Sequence, residues 1–486
     1  MKRFFSLIVL AGCMVGPNYH PPHVSVPLQF TESADSTPLS DDALCLWWEQ
    51  FEDPVLNDLI RQAVTSNFDY RIALEQMFQA RAEYQIESSF LWPTIDLNAS
   101  AVRSRFSQTV SDFQSSNVQA SGAPNTLSSG ATVGRVSAVQ NFFQVGFDAI
   151  WELDFWGKFR RAKRETYDLW EASGYTAQNV LIMVISEVAR SYTSIRGLQT
   201  QVELLQKKIK AEEEGLKLAQ DLFQSGLNSE IELAAFILAI ENDKATLPRL
   251  EIALKQTLYS LGVVLGKPSE EIVSILEAAG PIPKAVGRVS SGLPSELLRR
   301  RPDIRAAERQ LAASAEEIGV NVANLFPHIA LTGDRFGYES NKLSRLFSPM
   351  SRYWTIGPSV NWNVLDFGKI RGEIAVAKSL HRQAFLNYEK TVIAALQDVE
   401  GALVAYYEEE KRYSYLYSAY EAQNLTYLLT QNLFNAGLVS WIELLEALKI
   451  AIDAELFLIQ SSQSMTFNLI SLYKALGGDW ECTCTP

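Results

Sequence analysis

Histidine and cysteine are scarce: the 486-residue chain holds four of each. His20, His23, His328 and His381 form no ligand-spaced cluster, and no catalytic constellation surrounds them. His328 opens a strand and reads as an interfacial residue. Beyond Cys13, the remaining Cys45, Cys482 and Cys484 are an odd number that fits no disulfide framework. Cys482 and Cys484 lack a second pair of metal ligands and read as a tail without chemistry. No run reaches the roughly 18 apolar residues of a membrane-spanning helix, so a membrane crossing is left to a β-barrel or a lipid. Positive charge is not in excess: the formal net charge is −13, which argues against nucleic acid as the main partner. No glycine-rich phosphate cradle occurs, so any energy must come from a partner. Proline is absent from Asn125 through Leu247 and from Ser359 through Thr485.

What is present comes twice. Leu222-Phe223, Gly226-Leu227, Ser229 and Ile231-Glu232-Leu233 reappear as Leu433-Phe434, Gly437-Leu438, Ser440 and Ile442-Glu443-Leu444, an offset of 433 − 222 = 211. Trp151, Gly157, Lys158 and Arg160 recur at the same offset as Trp362, Gly368, Lys369 and Arg371. Upstream, Leu91, Pro93, Ile95 and Leu97 recur as Leu325, Pro327, Ile329 and Leu331, with 325 − 91 = 234. Asp69, Arg71 and Ala73 answer in the same way to Asp303, Arg305 and Ala307. The first copy therefore carries 234 − 211 = 23 extra residues between Leu97 and Trp151. Two copies near 200 residues make a duplicated unit and not a short-period solenoid.

Each copy reads as helix, strand, strand, very long helix, turn, helix. Val145, Phe147, Ala149, Trp151 and Leu153 alternate with polar or small residues, as do Trp354, Ile356, Val360, Trp362 and Val364. This is the period of a two-faced strand. Ile95, Leu97, Ala99 and Ala101 supply the partner strand in copy one; Ile329 and Leu331 begin it in copy two. The loop from about Ser107 to Val139, rich in Ser, Gly, Asn and Thr, belongs in solvent. Helical patterning persists from about Arg161 to Gln224, with Gly174, Gly197 and Gly215 as mild weak points, and from about Lys369 to Asn435. About 65 residues at 1.5 Å each span on the order of 100 Å. Such length implies coiled-coil-like packing. The runs Glu212–Glu214 and Glu408–Glu410 read as solvated faces.

Four strands per chain cannot close a membrane barrel, which needs about eight. Open edges would aggregate. A dimer would supply eight strands and a trimer twelve; the helix length favours the wider tube. Met1-Lys2-Arg3, the short apolar run Phe4–Leu10 and Leu10-Ala11-Gly12-Cys13 resemble a lipoprotein signal, with an ordinary secretory signal as the alternative. Cys13 is then the lipidated first mature residue. Met14 after it, where an Asp would favour inner-membrane retention, leans towards the outer membrane.

These residues resemble the TolC/OprM/NodT-type outer-membrane factors, the exit ducts of tripartite efflux pumps. The resemblance covers almost the whole chain. It rests on Cys13 with Val15-Gly16-Pro17-Asn18-Tyr19 and Pro21-Pro22, on Trp47-Trp48, Phe51, Asp53-Pro54, Leu56-Asn57 and Leu59-Ile60, and on the segment from Gly292 to Gly319 containing RRPDIRAAE. Phe326-Pro327, Leu331-Thr332-Gly333 and the closing Tyr473–Trp480 add to it. It implies an α+β membrane protein: a homotrimer with a twelve-stranded β-barrel in the outer membrane, continuous with a twelve-helix α-barrel. Residues 1–12 would be the signal peptide, 13–50 an extended segment, 51–266 the first repeat and 267–293 an equatorial link. Residues 294–480 would be the second repeat and 481–486 a tail. An inner-membrane pump of the RND type and a periplasmic adaptor are the implied partners, with outer-membrane lipid; no cofactor or metal is implied.

The resemblance assigns adaptor docking to the tips Gly226, Leu227, Gly437 and Leu438, where glycine also suits a left-handed helix cap. It puts a periplasmic gate at Glu232, Val439, Trp441, Glu443 and Glu446. Glu443 and Glu446 are three apart on one helical face, and threefold symmetry would gather six carboxylates, which attract cations. The plainer role for such carboxylates is to favour the helix dipole. Glu232 is the counterpart of Glu443, while Ala235 stands where Glu446 would have one. TolC carries an arginine two residues past the second tip glycine; here it is Val439, with Trp441 nearby, so an apolar or aromatic constriction replaces a salt-bridge latch. A type I protein secretion duct shares the same architecture, and a lipid-anchored coiled-coil scaffold is the non-transport alternative.

Overall fold

The computed structural model describes residues 14–24, 26–31, 46–105, 139–227, 229–284 and 294–478. Cys13, Cys45, Cys482 and Cys484, the signal segment, the first hairpin loop up to residue 138 and residues 285–293 of the inter-repeat link lie outside the described residues. The chain divides into two compact units. One gathers the described parts of 1–19, 82–167 and 313–381; the other those of 20–81, 168–312 and 382–486.

The helices are α1 (Pro54–Ser66), α2 (Phe68–Ser89), α3 (Lys158–Gln224), α4 (Glu230–Val264), α5 (Ser269–Ile275), α6 (Pro294–Arg300), α7 (Pro302–Ala323), α8 (Lys369–Asn435) and α9 (Trp441–Ala475). The strands are β1 (Thr94–Arg105), β2 (Val139–Leu153), β3 (His328–Ser340), β4 (Arg352–Tyr353) and β5 (Gly357–Asn361). The duplication holds to the residue: α3 and α8 are each 67 residues long, α4 and α9 each 35, α2 and α7 each 22.

The first unit contains the sheet, ordered β1-β2-β3-β4 and antiparallel, with β5 also on β3. Its faces differ in chemistry. Asp96, Asn98 and Ser100 pair with Asp148, Gly146 and Gln144, while Ile95, Leu97 and Ala99 pair with Ala149, Phe147 and Val145. Alternation puts the first set on one face and the second on the other. The returning strand of the second hairpin departs from expectation. Trp354, Ile356, Trp362 and Val364 lie outside any strand, and only two short pieces remain. The cause is a bulge in β3. Opposite β2 the register jumps between Phe147 and Ala149, where β3 advances from Phe336 to Gly333. The same surplus falls between Tyr353 and Gly357 on the other side. An extra residue breaks the ladder on both flanks, and Pro358 has no N–H to give.

Strand ends pass to helices by repeated devices. The Trp151 indole donates to the Leu91 carbonyl at 3.1 Å and Trp362 to that of Leu325 at 3.1 Å. Gly157 and Gly368 take φ of +78° and +92°, conformations that favour glycine. Asp154 accepts from the Arg160 amide at 3.0 Å, and Asp366 from that of Ile370 at 2.9 Å, capping α3 and α8. His328 is more than an interfacial residue: its Nδ1 lies 2.8 Å from Glu152 Oε1.

Beneath the sheet this unit buries an ion pair. Arg161 is fully enclosed, 2.7 Å from Glu316, and donates to the carbonyl of Val15 at 2.8 Å. Gly319 makes room for it, since a Cβ there would sit 2.1 Å from the Arg161 side chain. One turn on, Glu165 shares this interior with other carboxylates. Burial first, then the charges of Glu317, Glu87 and Glu316, push its carboxyl up to about 7.

The second unit packs helices on helices. α1 begins at Asp53, whose carboxylate accepts from the Val55 amide at 2.9 Å, with Pro54 in the first turn. Its stripe Leu56, Leu59, Ile60 and Ala63 is buried; each large side chain contributes about 1.5–3 kcal/mol of transfer free energy. The glycines of α3 are not weak points, for the helix runs unbroken through them. Two admit close neighbours: a Cβ at Gly215 would meet Leu445 at 2.3 Å, and one at Gly197 would meet Gln463 at 2.6 Å.

Candidate functional site

The second unit carries two helix turns of near-identical geometry. At the first, Gly226 donates to the Phe223 carbonyl at 2.9 Å and Leu227 to that of Leu222 at 2.9 Å. At the second, Gly437 donates to Phe434 at 2.9 Å and Leu438 to Leu433 at 3.0 Å. Both are Schellman closures, with the glycine at φ +73° and +71°. A side chain on either glycine would meet nothing within 4 Å, so backbone conformation alone selects glycine there. The closure leaves Leu227 77% and Leu438 72% exposed.

Each returning helix starts at a serine. Ser229 accepts from the Glu232 amide and Ser440 from the Glu443 amide, both at 3.3 Å. At the second tip the Glu443 carboxylate reaches back to the Ser440 amide at 2.9 Å, completing a capping box. Glu443 is thus both a cap and an exposed charge at a helix N-terminus, where a negative charge is stabilising. Glu232 is exposed in the first turn of α4. Trp441 packs edge-on against Phe434 across the turn, centroids 5.5 Å apart, rather than projecting. Val439 is half-buried beside it.

Glu446 leads into a network that the sequence does not advertise. Lys449 Nζ lies 4.0 Å from Glu446 and 3.2 Å from Glu212 of α3. Glu212 is not part of a solvated face: its side chain is 1% exposed, while Glu213 is half-buried and Glu214 exposed. Burial raises the Glu212 pKa against the hydrogen bond and charge of Lys449, which lower it. Lys208 bridges Asp453 of α9 at 2.9 Å and Asp243 of α4 at 3.2 Å. Burial alone would pull Lys208 down, but Asp453 and Asp243 hold it above its ordinary value. On the other run, Glu409 accepts from Ser461 of α9 at 2.5 Å and is also largely covered. The only sequence signal for Lys449 is its place three residues after Glu446. Its tie to Glu212 spans 237 residues (449 − 212), beyond any local pattern.

Among the described residues no group of three His, Cys, Asp or Glu side chains could hold a metal ion, and no helix is long and apolar enough to cross a membrane.

Against known proteins, residues 59–267 and 293–478 match the family model described as outer membrane efflux protein. Nodulation protein T of Rhizobium leguminosarum bv. trifolii is 29% identical over 447 residues, 91% of this chain and 89% of that protein. The solvent efflux pump outer membrane protein SrpC of Pseudomonas putida is 28% identical over 98% of this chain and 97% of its own. Among solved structures, the outer-membrane channel OprN superposes with a TM-score of 0.83 at 28% identity, covering 96% of this chain and all (100%) of that one.

Proposed function

This chain belongs to the outer membrane efflux protein family, and from that premise we propose how its parts divide the work of export. It is the outer-membrane channel of a tripartite efflux pump, carrying small molecules outward. The duct does no chemistry of its own and draws its driving force from the pump below. Three copies pool their strands. With β4 and β5 as pieces of one strand, each chain gives four and three chains give twelve. The observation that carries this is the sheet itself. Among the described residues it has unpaired edges at β1 and at β4/β5, one polar face and one apolar face with Ile95 and Leu97 exposed. A two-faced sheet with open edges needs closure, which only further copies supply. The polar face then lines the lumen and the apolar face meets lipid.

Cys13 carries the acyl anchor. The tips at Gly226-Leu227 and Gly437-Leu438 receive a periplasmic adaptor, which links the duct to an RND-type pump. Glu443 and Glu446, with Glu232, form the acidic surround of the periplasmic mouth, and Val439 and Trp441 its apolar part. Supporting this is the exposure of both leucines and of the three carboxylates on otherwise tightly closed turns.

The test is single-channel conductance of Glu443→Ala/Glu446→Ala in planar bilayers. The expected result is reduced cation selectivity and weaker divalent block. Unchanged selectivity would remove the acidic mouth, and absence of heat-modifiable trimers in outer-membrane fractions would remove the duct.

A further inference from the structure

The strands join helices at one end of the sheet and turn at the other. The turn of the second hairpin and the strand pieces after it are unusual in charge. From residue 341 through 365 there are three cations, Lys342, Arg345 and Arg352, and no Asp or Glu, in a chain of net charge −13. None of the three side chains has a hydrogen-bond or ion-pair partner among the described residues. By contrast, Lys208, Arg301 and Arg309 each have a carboxylate partner.

The turn is ordered, not a loose loop. Leu346 is buried beneath it. Leu346 donates to the Leu343 carbonyl at 3.2 Å, Ser348 to Arg345 at 3.0 Å and Ser351 to Ser348 at 2.9 Å. Yet it holds large apolar side chains outward: Phe347 is 73%, Met350 95% and Trp354 69% exposed. Phe347 folds edge-on to Tyr338 at 5.6 Å and closes one side of a shallow apolar groove of about 590 Å³. Leu97, Phe147 and Phe336 form the groove's floor, and Arg352 stands among its lining residues. That floor is the apolar face of the sheet, so the groove is continuous with the surface assigned to lipid above.

Cations with no partner among the described residues, interleaved with exposed aromatics and aliphatics, suit an anionic lipid surface: the cations hold phosphates while the apolar side chains enter the acyl region. We propose that the distal turn of the second hairpin, with Arg352, is a clasp for a phosphorylated, acylated glycolipid of the outer leaflet. Lys342, Arg345 and Arg352 hold its phosphates, and Phe347, Met350 and Trp354 lie among its acyl chains. The clasp fixes one face of each protomer to its lipid surround at the outer surface. It rests on the reading of the sheet as the membrane-spanning part of the duct.

The experiment uses full-length protein extracted in detergent, titrated with fluorescent diphosphorylated lipid A. Phosphatidylcholine and free inorganic pyrophosphate are the parallel probes. Saturable lipid A binding is expected for the wild type, with little for phosphatidylcholine and no competition by pyrophosphate. Lys342→Gln/Arg345→Gln/Arg352→Gln should bind on the order of a hundredfold more weakly, from roughly fivefold per cation near a lipid surface. It should still give heat-modifiable trimers. Should the triple variant fail to assemble, Arg352→Gln alone should weaken binding about fivefold. Equal binding by variant and wild type overturns the clasp and leaves the duct intact. So does equal binding of phosphatidylcholine, displacement by pyrophosphate, or no lipid A binding, which would turn this surface to a protein partner. A wild type that forms no trimer overturns the duct reading itself.

Discussion

Glu212 of the first long helix is buried against Lys449, while its counterparts 211 residues away are Gln423 and Leu238. The seam between α3 and α9 is therefore ionic at a level where the repeat-exchanged pair, α8 and α4, has an amide and an exposed leucine. The rest of the network is equally one-sided: Lys208 answers to Ala419, Asp453 to Asn242 and Asp243 to Ala454. Helix lengths, N-caps and Schellman turns were kept in both copies because they set where each helix ends. Charge was free to diverge, and it diverged both between the copies, at Glu212–Lys449 and Lys208–Asp453, and within the first, at Lys208–Asp243. The two copies are similar in backbone and different in what their matching positions hold.

Removing Lys449 should have the largest effect. Lys449→Met leaves the Glu212 carboxylate enclosed without its cation, at a cost of about 3–5 kcal/mol. Leu238→Ala, at the matching exposed position, should stay within about 0.5 kcal/mol. Urea unfolding midpoints of the two variants in detergent measure the contrast. Coincident curves would mean that the ion pair contributes nothing.

Glu165 sharpens the comparison in the first unit, since its counterpart is Val376. Its folded pKa of about 7 lies above the ordinary value of 4.5. Between these values the folded state holds the proton and the unfolded chain releases it. Stability should then fall by about 1.4 kcal/mol per pH unit as pH rises through that window, and be fully present below it. Glu165→Gln should flatten this slope and be the more stable protein above pH 7, by up to about 3 kcal/mol. Denaturant melts at closely spaced pH values test it; parallel slopes for the two proteins would count against the shift.

Gly215→Ala comes next. The added Cβ would run into Leu445 of α9, and overpacking of this kind costs about 1–3 kcal/mol. The counterpart Thr426 already carries a side chain, bonded to the carbonyl of Ala422 at 2.9 Å. Thr426→Ala should cost less than about 1 kcal/mol, and a reversed order would show that α9 does not press on α3.

Much of this architecture was legible because it repeats. Offsets of 211 and 234 paired the two copies, sustained helical patterning marked both long helices, and period-two alternation marked the strands. Period-two alternation marked the fourth at Trp354–Val364 as continuous, but alternation cannot register a surplus residue in the neighbouring strand, and the bulge in β3 cut it into pieces. The tips were visible as Gly-Leu pairs because backbone conformation alone dictates glycine there. Glu212 and Lys449 were not, because a buried carboxylate within an acidic run looks like a solvated face until the distant lysine is in place. Gly197 and Gly215 looked like weak points for the same reason: the side chains that fill their space come from a helix more than 200 residues away.

The smallest expected effect is the one that isolates function from folding. Gly226→Ala and Gly437→Ala each force an alanine into φ near +70°, at roughly 1 kcal/mol, and neither new Cβ touches anything. The two turns match in closure and exposure, so the two variants should lose nearly equal stability. Docking is under no such constraint, because the residues that follow differ: Asn228 at the first tip, Val439 at the second. Efflux measured by drug accumulation, beside unfolding of the same variants, separates the terms. Equal stability losses with unequal efflux would assign the difference to the partner's grip on one tip. Equal losses in both would mean that the adaptor reads only the turn common to the two copies.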